Sequence, residues 1–491
     1  MSEKKSTAFG YLKNIFWKVF DPFGRACLLT NKVFYGTMVS NRNTAALSVG
    51  IQNRKGDRIT MRKRKTVVLG CALALMAGLA LGGCAVPFEG AEVGSPTPVP
   101  QVPAAEQSVE AQEEVPPMDA ENKIWNVKDF GAKGNGRSDD YTALQRAVNT
   151  VMRAGGGTIF FPAGTYSISQ TLRITMEGDA PLTLFANPAE DATIQTTAEV
   201  EGAALYVNHP YVTVDHVSIS QNASGDYPAV MLLSDYGKLI NCSIHAGGGN
   251  TAPLAQIFGS YNTLTGCGWG YSGTTPHIVE FSKREGIVAF GNVLEDSYFG
   301  GGHTKCVLVT SEEANGAQEG LVIRRNVFLL PAVGQVEVRA AKNISINDNM
   351  LDAGNINILL SPDQAGIHGI AITNNYCGSS SGGLHVSSDA NDEVTDLVVS
   401  ANYFWNPDCI KMDTDKCSGI KLTDNYFVKT NGTAITLRNA KGAFLEGNVV
   451  VSLGGELGLS IRSLDDDTVI QYNSLGEVKV PEWNNRFKKL N

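Results

Sequence analysis

The second half of the chain repeats one pattern of apolar and polar positions: apolar, any, apolar, two variable residues, asparagine. It occurs at Ile323…Asn326, Ile344-Ser345-Ile346…Asn349, Ile370-Ala371-Ile372…Asn375, Val398…Asn402, Ile420-Lys421-Leu422…Asn425, Phe444…Asn448 and Val469…Asn473. Successive asparagines lie 23, 26, 27, 23, 23 and 25 residues apart. Short alternation signals strands. A recurrence near 25 residues is one coil of three strands in a solenoid. Stacking then sets equivalent positions about 4.8 Å apart, so the asparagines form a column. Asparagine tolerates the left-handed turn, and its amide reaches the next coil. The same slot is expected upstream at Asp296, Cys267, Cys242 and Val217. This column is read as structural, with no chemistry assigned to it.

Before the repeats the period changes. Leu144, Ala147, Val148 and Val151 recur at helical spacing after Ser138-Asp139-Asp140, which reads as an N-cap. Gly155-Gly156-Gly157 ends that helix, Thr158 to Phe161 begins a strand, and Pro162-Ala163-Gly164-Thr165-Tyr166 makes a turn. Together with Trp125-Asn126-Val127-Lys128-Asp129-Phe130-Gly131-Ala132-Lys133-Gly134-Asn135-Gly136, this run resembles the N-terminal signature of the pectate-lyase-like superfamily, which includes rhamnogalacturonases, epimerases and phage tailspikes. The resemblance implies an all-β fold: a single-stranded right-handed parallel β-helix of about 11–13 coils with a short N-terminal capping helix. An uncovered first coil would expose both core and strand edge. The signature speaks for fold; it lies far from the family's active sites.

Composition and charge divide the chain. The 52 glycines and 18% charged residues suit a turn-rich β protein. Residues 1–84 hold 14 of the 40 Lys/Arg but 3 of the 49 Asp/Glu, so the remainder carries 26 basic and 46 acidic residues, a net charge of −20. So acidic a body excludes nucleic acid as a partner. A polyanionic ligand would need a local basic patch. Met61-Arg62-Lys63-Arg64-Lys65, then an uncharged apolar run from Thr66 to Gly83 ending at Cys84, describe a secretory signal. The cysteine at its end resembles a bacterial lipoprotein signal. Residues 61–84 are therefore expected to place the body on the extracellular face of the membrane, anchored in the lipid bilayer through Cys84; an uncleaved anchor is the alternative. Residues 1–60 read as a start codon set too early, with a cytoplasmic extension as the alternative. Residues 85–122 contain seven prolines and several glutamates and read as an extended stalk. The folded domain is 123–491.

Six cysteines fall in the body, at 242, 267, 306, 377, 409 and 417, with no zinc-ligand spacing. Cys242 and Cys267 share a slot in adjacent coils, as stacked buried thiols or, outside the cytoplasm, a disulfide.

In this superfamily the strand before the ladder strand usually faces substrate. Alternation assigns its inward residues as Val336 and Val338, Ile356 and Ile358, Leu384 and Val386, Ile410 and Met412, Ile435 and Leu437. Two outward rows follow: Glu280, Leu308, Glu337, Asn357, His385, Lys411, Thr436, and Ser282, Thr310, Arg339, Leu359, Ser387, Asp413, Arg438. The candidate catalytic residues are Lys411, His385, Asp413, Arg339, Glu337 and Arg438, with Asn357, His303 and Asp408 as substrate contacts. Abstraction of the proton beside a uronate carboxylate needs a base, Lys411 or His385, and a neutralising cation, Arg339 or Arg438. A glycosidase needs two carboxyl groups about 5–10 Å apart. Glu337 and Asp413 lie three coils apart, about 14 Å, so Asp408, Asp363 or Asp415 would have to supply a partner. Pro407-Asp408-Cys409-Ile410 resembles the Asp-Asp-Cys-Ile motif of polygalacturonases with its first aspartate replaced; that family's other motifs are missing from the body. His303 follows Gly300-Gly301-Gly302, which permits close ligand approach. Calcium is the one cofactor the acids suggest, through Asp389 and Asp392 beside His385 or through Asp413 and Asp415. The expected function is a polysaccharide lyase or glycoside hydrolase. The alternative is a glycan-binding adhesin, which should show an exposed aromatic face. Aromatics total 8%, and many fall in ladder slots read as inward, Phe328, Tyr403 or Phe404, and Tyr426 or Phe427.

Overall fold

The computed structural model describes residues 35–41, 44–50, 123–271, 277–300, 305–329, 334–363, 365–387, 392–429, 432–452 and 457–481. The signal, Cys84, the stalk, His303 and Asp389 lie outside them. In the N-terminal unit, Tyr35–Asn41 and Thr44–Gly50 pair antiparallel. The second unit is a right-handed parallel β-solenoid of about 12 turns.

After the first coil, the coils contribute strands to each of three sheets, some of them two to the second sheet. The first sheet has 13 strands, from Leu172–Ile174 to Val478–Lys479. The second runs from Ile124–Asn126 to Val469–Gln471, and the third from Asn135–Asp139 to Val449–Ser452. All pairings in this unit are parallel, as in His277–Lys283 with Lys305–Ser311. The expected helix is Tyr141–Arg153; it buries Leu144, Ala147, Val148, Val151 and Met152 in the continuous core. Its preceding acids serve the first turn differently from a simple cap. The Asp140 carboxylate accepts from Lys133 N and Gly134 N, at 2.6 and 2.9 Å, and Asp139 accepts from Tyr141 N at 3.1 Å.

The asparagine column is present. Each Nδ2 donates to the Oδ1 one coil on: Asn326 to Asn349 at 3.1 Å, Asn349 to Asn375, Asn375 to Asn402, Asn402 to Asn425 and Asn425 to Asn448 at 3.0 Å, and Asn448 to Asn473 at 2.8 Å. The same Oδ1 also accepts the preceding coil's backbone N–H, as from Asn375 to Asn402 at 2.9 Å. Every buried donor in the bend thus finds an acceptor.

Two details correct the sequence reading. The left-handed residue is the one before each asparagine: Arg325, Asp348, Asn374, Ala401 and Asp424 have φ between 53° and 59°. The asparagine must turn its amide inward, so the chain reverses one residue earlier. The upstream slot is accordingly Ser297, whose N donates to Asn326 Oδ1 at 3.0 Å; Asp296 takes the left-handed position with φ 51°. Above it Cys242 and Cys267 stack as buried thiols. Aromatic residues extend the core column, with Phe299 on Phe328 at 4.7 Å and Phe404 on Phe427 at 5.2 Å. Tyr403 and Tyr426 instead face outward.

Asn402→Ala removes the acceptor of two Asn375 donors and a donor to Ile372 O. It should cost about 2–4 kcal/mol, read as a lowered urea midpoint. Thr436→Ala, on the outer face, should stay within about 0.5 kcal/mol. Equal midpoints for the two variants would show that the column does not hold the coils.

Candidate functional site

Backbone register places the outer face of the first sheet residue by residue. Glu280 pairs with Leu308, Leu308 with Glu337, Glu337 with Leu359, Leu359 with His385, His385 with Lys411, and Lys411 with Thr436. This is one outward row parallel to the solenoid axis, with steps of about 4.8 Å. Two positions further along each strand, Arg339, Ser361, Ser387, Asp413, Arg438 and Arg462 form the second row.

One coil therefore differs from the expectation: its outward residues are Leu359 and Ser361. Asn357 is fully buried and is not a substrate contact. Strand Ile356–Leu360 opens at a corner where Gln335 and Asn357 both turn inward. Asn357 Nδ2 donates to Gln335 Oε1 at 2.8 Å, and Asn357 Oδ1 accepts from Ser380 Oγ at 2.8 Å and Asn406 Nδ2 at 3.1 Å. It belongs to a second internal polar column. Ile356, expected inward, is only half-buried and pairs with Gly334 and Gly382.

His385, Lys411, Asp408, Asp413 and Arg438 do gather. His385 Nε2 donates to Asp408 O at 3.1 Å, which leaves Nδ1 as the acceptor in the neutral ring. Burial lowers the His385 pKa below its usual 6.5, and the neighbouring Lys411 charge adds to this. Lys411 is exposed and has no ion-pair partner among the described residues. Arg438 Nε lies 2.8 Å from Asp413 Oδ1, and this bond holds the Asp413 carboxyl below its usual range. The Asp408 side chain receives Thr433 N at 3.3 Å and closes a turn.

Glu337 and Arg339 form a separate cluster two to three coils upstream. Glu337 is 3% exposed. Its Oε2 lies 2.5 Å from Lys305 Nζ; its Oε1 accepts from Arg339 Nε at 2.6 Å and Ser361 Oγ at 2.9 Å. Burial alone would raise its pKa, but these two cations outweigh burial and hold it below the usual 4.5. Lys305 was missed by the sequence reading, although it follows the glycine run. So was the pair above it, His277 Nε2 to Glu280 Oε2 at 2.8 Å, with both residues buried on the outward face. Acids and bases two or three positions apart at a strand start were the available signal.

No group of three His, Cys, Asp or Glu able to hold a metal occurs among the described residues. Asp413 is committed to Arg438, Asp392 accepts its neighbour's N–H at 2.8 Å, and Asp415 is exposed.

Residues 124–226 match the family rhamnogalacturonase A/epimerase, pectate lyase-like. Among curated proteins, alginate lyase 7 of Azotobacter vinelandii is 53% identical over 45 residues, 9% of this chain and 5% of that protein. Mannuronan C5-epimerase AlgE1 of the same organism is 51% identical over 51 residues, 10% of this chain and 4% of that one. The matched stretches are thus a small part of either relative. Among solved structures, the Dettilon tailspike protein aligns with a TM-score of 0.49 at 12% identity, over 72% of this chain and 68% of that one.

Glu337→Gln leaves Lys305 and Arg339 without a counter-charge and should cost about 3 kcal/mol at neutral pH. Because the native pKa is depressed, the contribution is complete above the ordinary 4.5 and is lost as pH falls through the lower native value. The gap in urea midpoint between the two proteins should close in acid. A gap that stayed constant with pH would mean that Glu337 contributes shape and not charge.

Proposed function

We propose that the protein is a polysaccharide-active enzyme that abstracts the proton beside a uronate carboxylate, by β-elimination or by epimerisation. The observation that supports it best is His385 beside Lys411: an imidazole kept neutral next to an exposed ammonium, in adjacent coils of one outward row. His385 Nδ1 takes the proton from the carbon next to the carboxylate. Lys411 neutralises that carboxylate, so the negative charge that develops on it in the transition state is met by a fixed cation. In elimination the electron pair forms a carbon–carbon double bond and expels the glycosidic oxygen, which takes up a proton from solvent water. In epimerisation a proton from solvent water adds to the opposite face, His385 gives up its proton to solvent, and no bond of the chain breaks.

Hydrolysis is less well supported. Glu337 and Asp413 are both held ionised by cations, so neither is a ready proton donor. A second reading, glycan binding without turnover, draws on the outward tyrosines Tyr376, Tyr403 and Tyr426, with centroids 5.6 and 5.4 Å apart. Their rings stack on one another and offer edges to a sugar where stacking needs faces, so this reading stands second. The signal ending at Cys84 supports a surface location. Cys84→Ala should move the protein from the membrane fraction to the medium or periplasm.

A panel of uronate and neutral polysaccharides tests the chemistry. Elimination appears as ultraviolet absorbance of the unsaturated product, epimerisation as solvent-proton exchange into the polymer. His385→Ala should lose activity on the order of a hundredfold or more. The wild-type acid limb should fall below the ordinary imidazole value of 6.5, since the base is competent above its depressed pKa and lost as pH falls through it. New reducing ends without absorbance or exchange would replace this reading with hydrolysis.

A further inference from the structure

The outward row has an order that the reaction alone does not require. Along the axis it runs Glu337, Leu359, His385, Lys411. At the upstream end, Lys305 and Arg339 share the single carboxylate of Glu337, leaving one net positive charge on a largely buried face. Arg339 spends only Nε on that carboxylate, and its side chain is 38% exposed. Among the described residues its two terminal amino groups have no partner, and they present a planar fork to an incoming carboxylate. Glu337, pinned by Lys305 and Ser361, sets the direction of that fork. Leu359 lies in the coil between this cluster and His385, where it can meet the apolar face of a sugar ring.

We infer that Arg339, oriented by the Lys305–Glu337 pair, is a second carboxylate anchor, about 14 Å along the axis from Lys411. The ligand class is a linear oligouronate that lies along the solenoid and engages both cations, with His385 between them. This rests on the proposed uronate chemistry, but binding can be measured without turnover. Residues 123–491 carry a net charge of −12 and would repel such a ligand elsewhere, so the two anchors also fix where it lands.

The test uses the full chain and size-fractionated oligomers of mannuronate and of galacturonate. Wild-type kcat/KM should rise about tenfold or more once the oligomer is long enough to span both anchors. Arg339→Ala should abolish that rise through KM, and Arg339→Lys, which keeps charge without the fork, should restore part of it. In parallel, retention of the protein in native gels containing polyuronate should fall in Arg339→Ala and persist in His385→Ala; a neutral glucan gel should retain none of them. Equal loss by Arg339→Ala on short and long oligomers would overturn the anchor, as would unchanged retention. Retention lost in Arg339→Ala from a wild-type protein that turns nothing over would keep the anchor and sink the proposed reaction. No retention of the wild type by any polyuronate would sink both.

Discussion

Register between coils is the constraint on which everything else rests. A parallel stack of short strands has little to stop one coil sliding against the next, and a slip of one residue would turn the outer face inward. The asparagine column prevents this because each Oδ1 takes two donors from the coil before, one from the backbone and one from the side chain. Sliding would leave both buried and unpaired, at a cost that apolar packing alone does not impose. The outer face of the first sheet thereby becomes a ruler: whatever stands at one slot faces its counterpart one coil away, at a spacing set by backbone hydrogen bonds. His385 meets Lys411 for that reason and not because their side chains attract.

The charges on this ruler are of two kinds, and burial separates them. Glu337, Lys305, Glu280 and His277 sit on an outward face that is largely buried, where an unpaired charge is expensive. Each is therefore paired with another member of the group. Lys411 is exposed and stands without an ion-pair partner among the described residues. Paired and buried groups hold geometry; an unpaired, exposed cation can exchange water for a substrate carboxylate. Arg339 bridges the two cases, with one nitrogen committed and the rest of the guanidinium at the surface.

The repeat was legible because it recurs, and recurrence averages out local irregularity. The period, the seven asparagines and the helical spacing from Leu144 to Val151 all hold. What failed did so at corners. Asn357 was read outward because strict alternation was carried through a bend where two successive residues, Asn357 and Ile358, face inward. The left-handed conformation was given to the ladder asparagines because asparagine tolerates it, yet Arg325 and Ala401 adopt it. The column's inward hydrogen bonds overrode residue preference. Lys305 and His277 were passed over because both start strands, in a row that opens Lys305, Gly334, Ile356, Gly382, Asp408 and shows no pattern to extrapolate.

A second irregular row argues for where chemistry sits. Rows that serve the solenoid are uniform: asparagine upon asparagine, phenylalanine upon phenylalanine, tyrosine upon tyrosine. Identical stacked residues satisfy one another and need nothing from outside. The row Glu337, Leu359, His385, Lys411 breaks that rule at every step, with an anion, an apolar group, a neutral base and a cation in adjacent coils. Such a row does little for its own coil stacking. Its heterogeneity is the kind that a ligand with alternating apolar and anionic parts would complete, and a uronate chain, with sugar-ring faces between carboxylates, has that character.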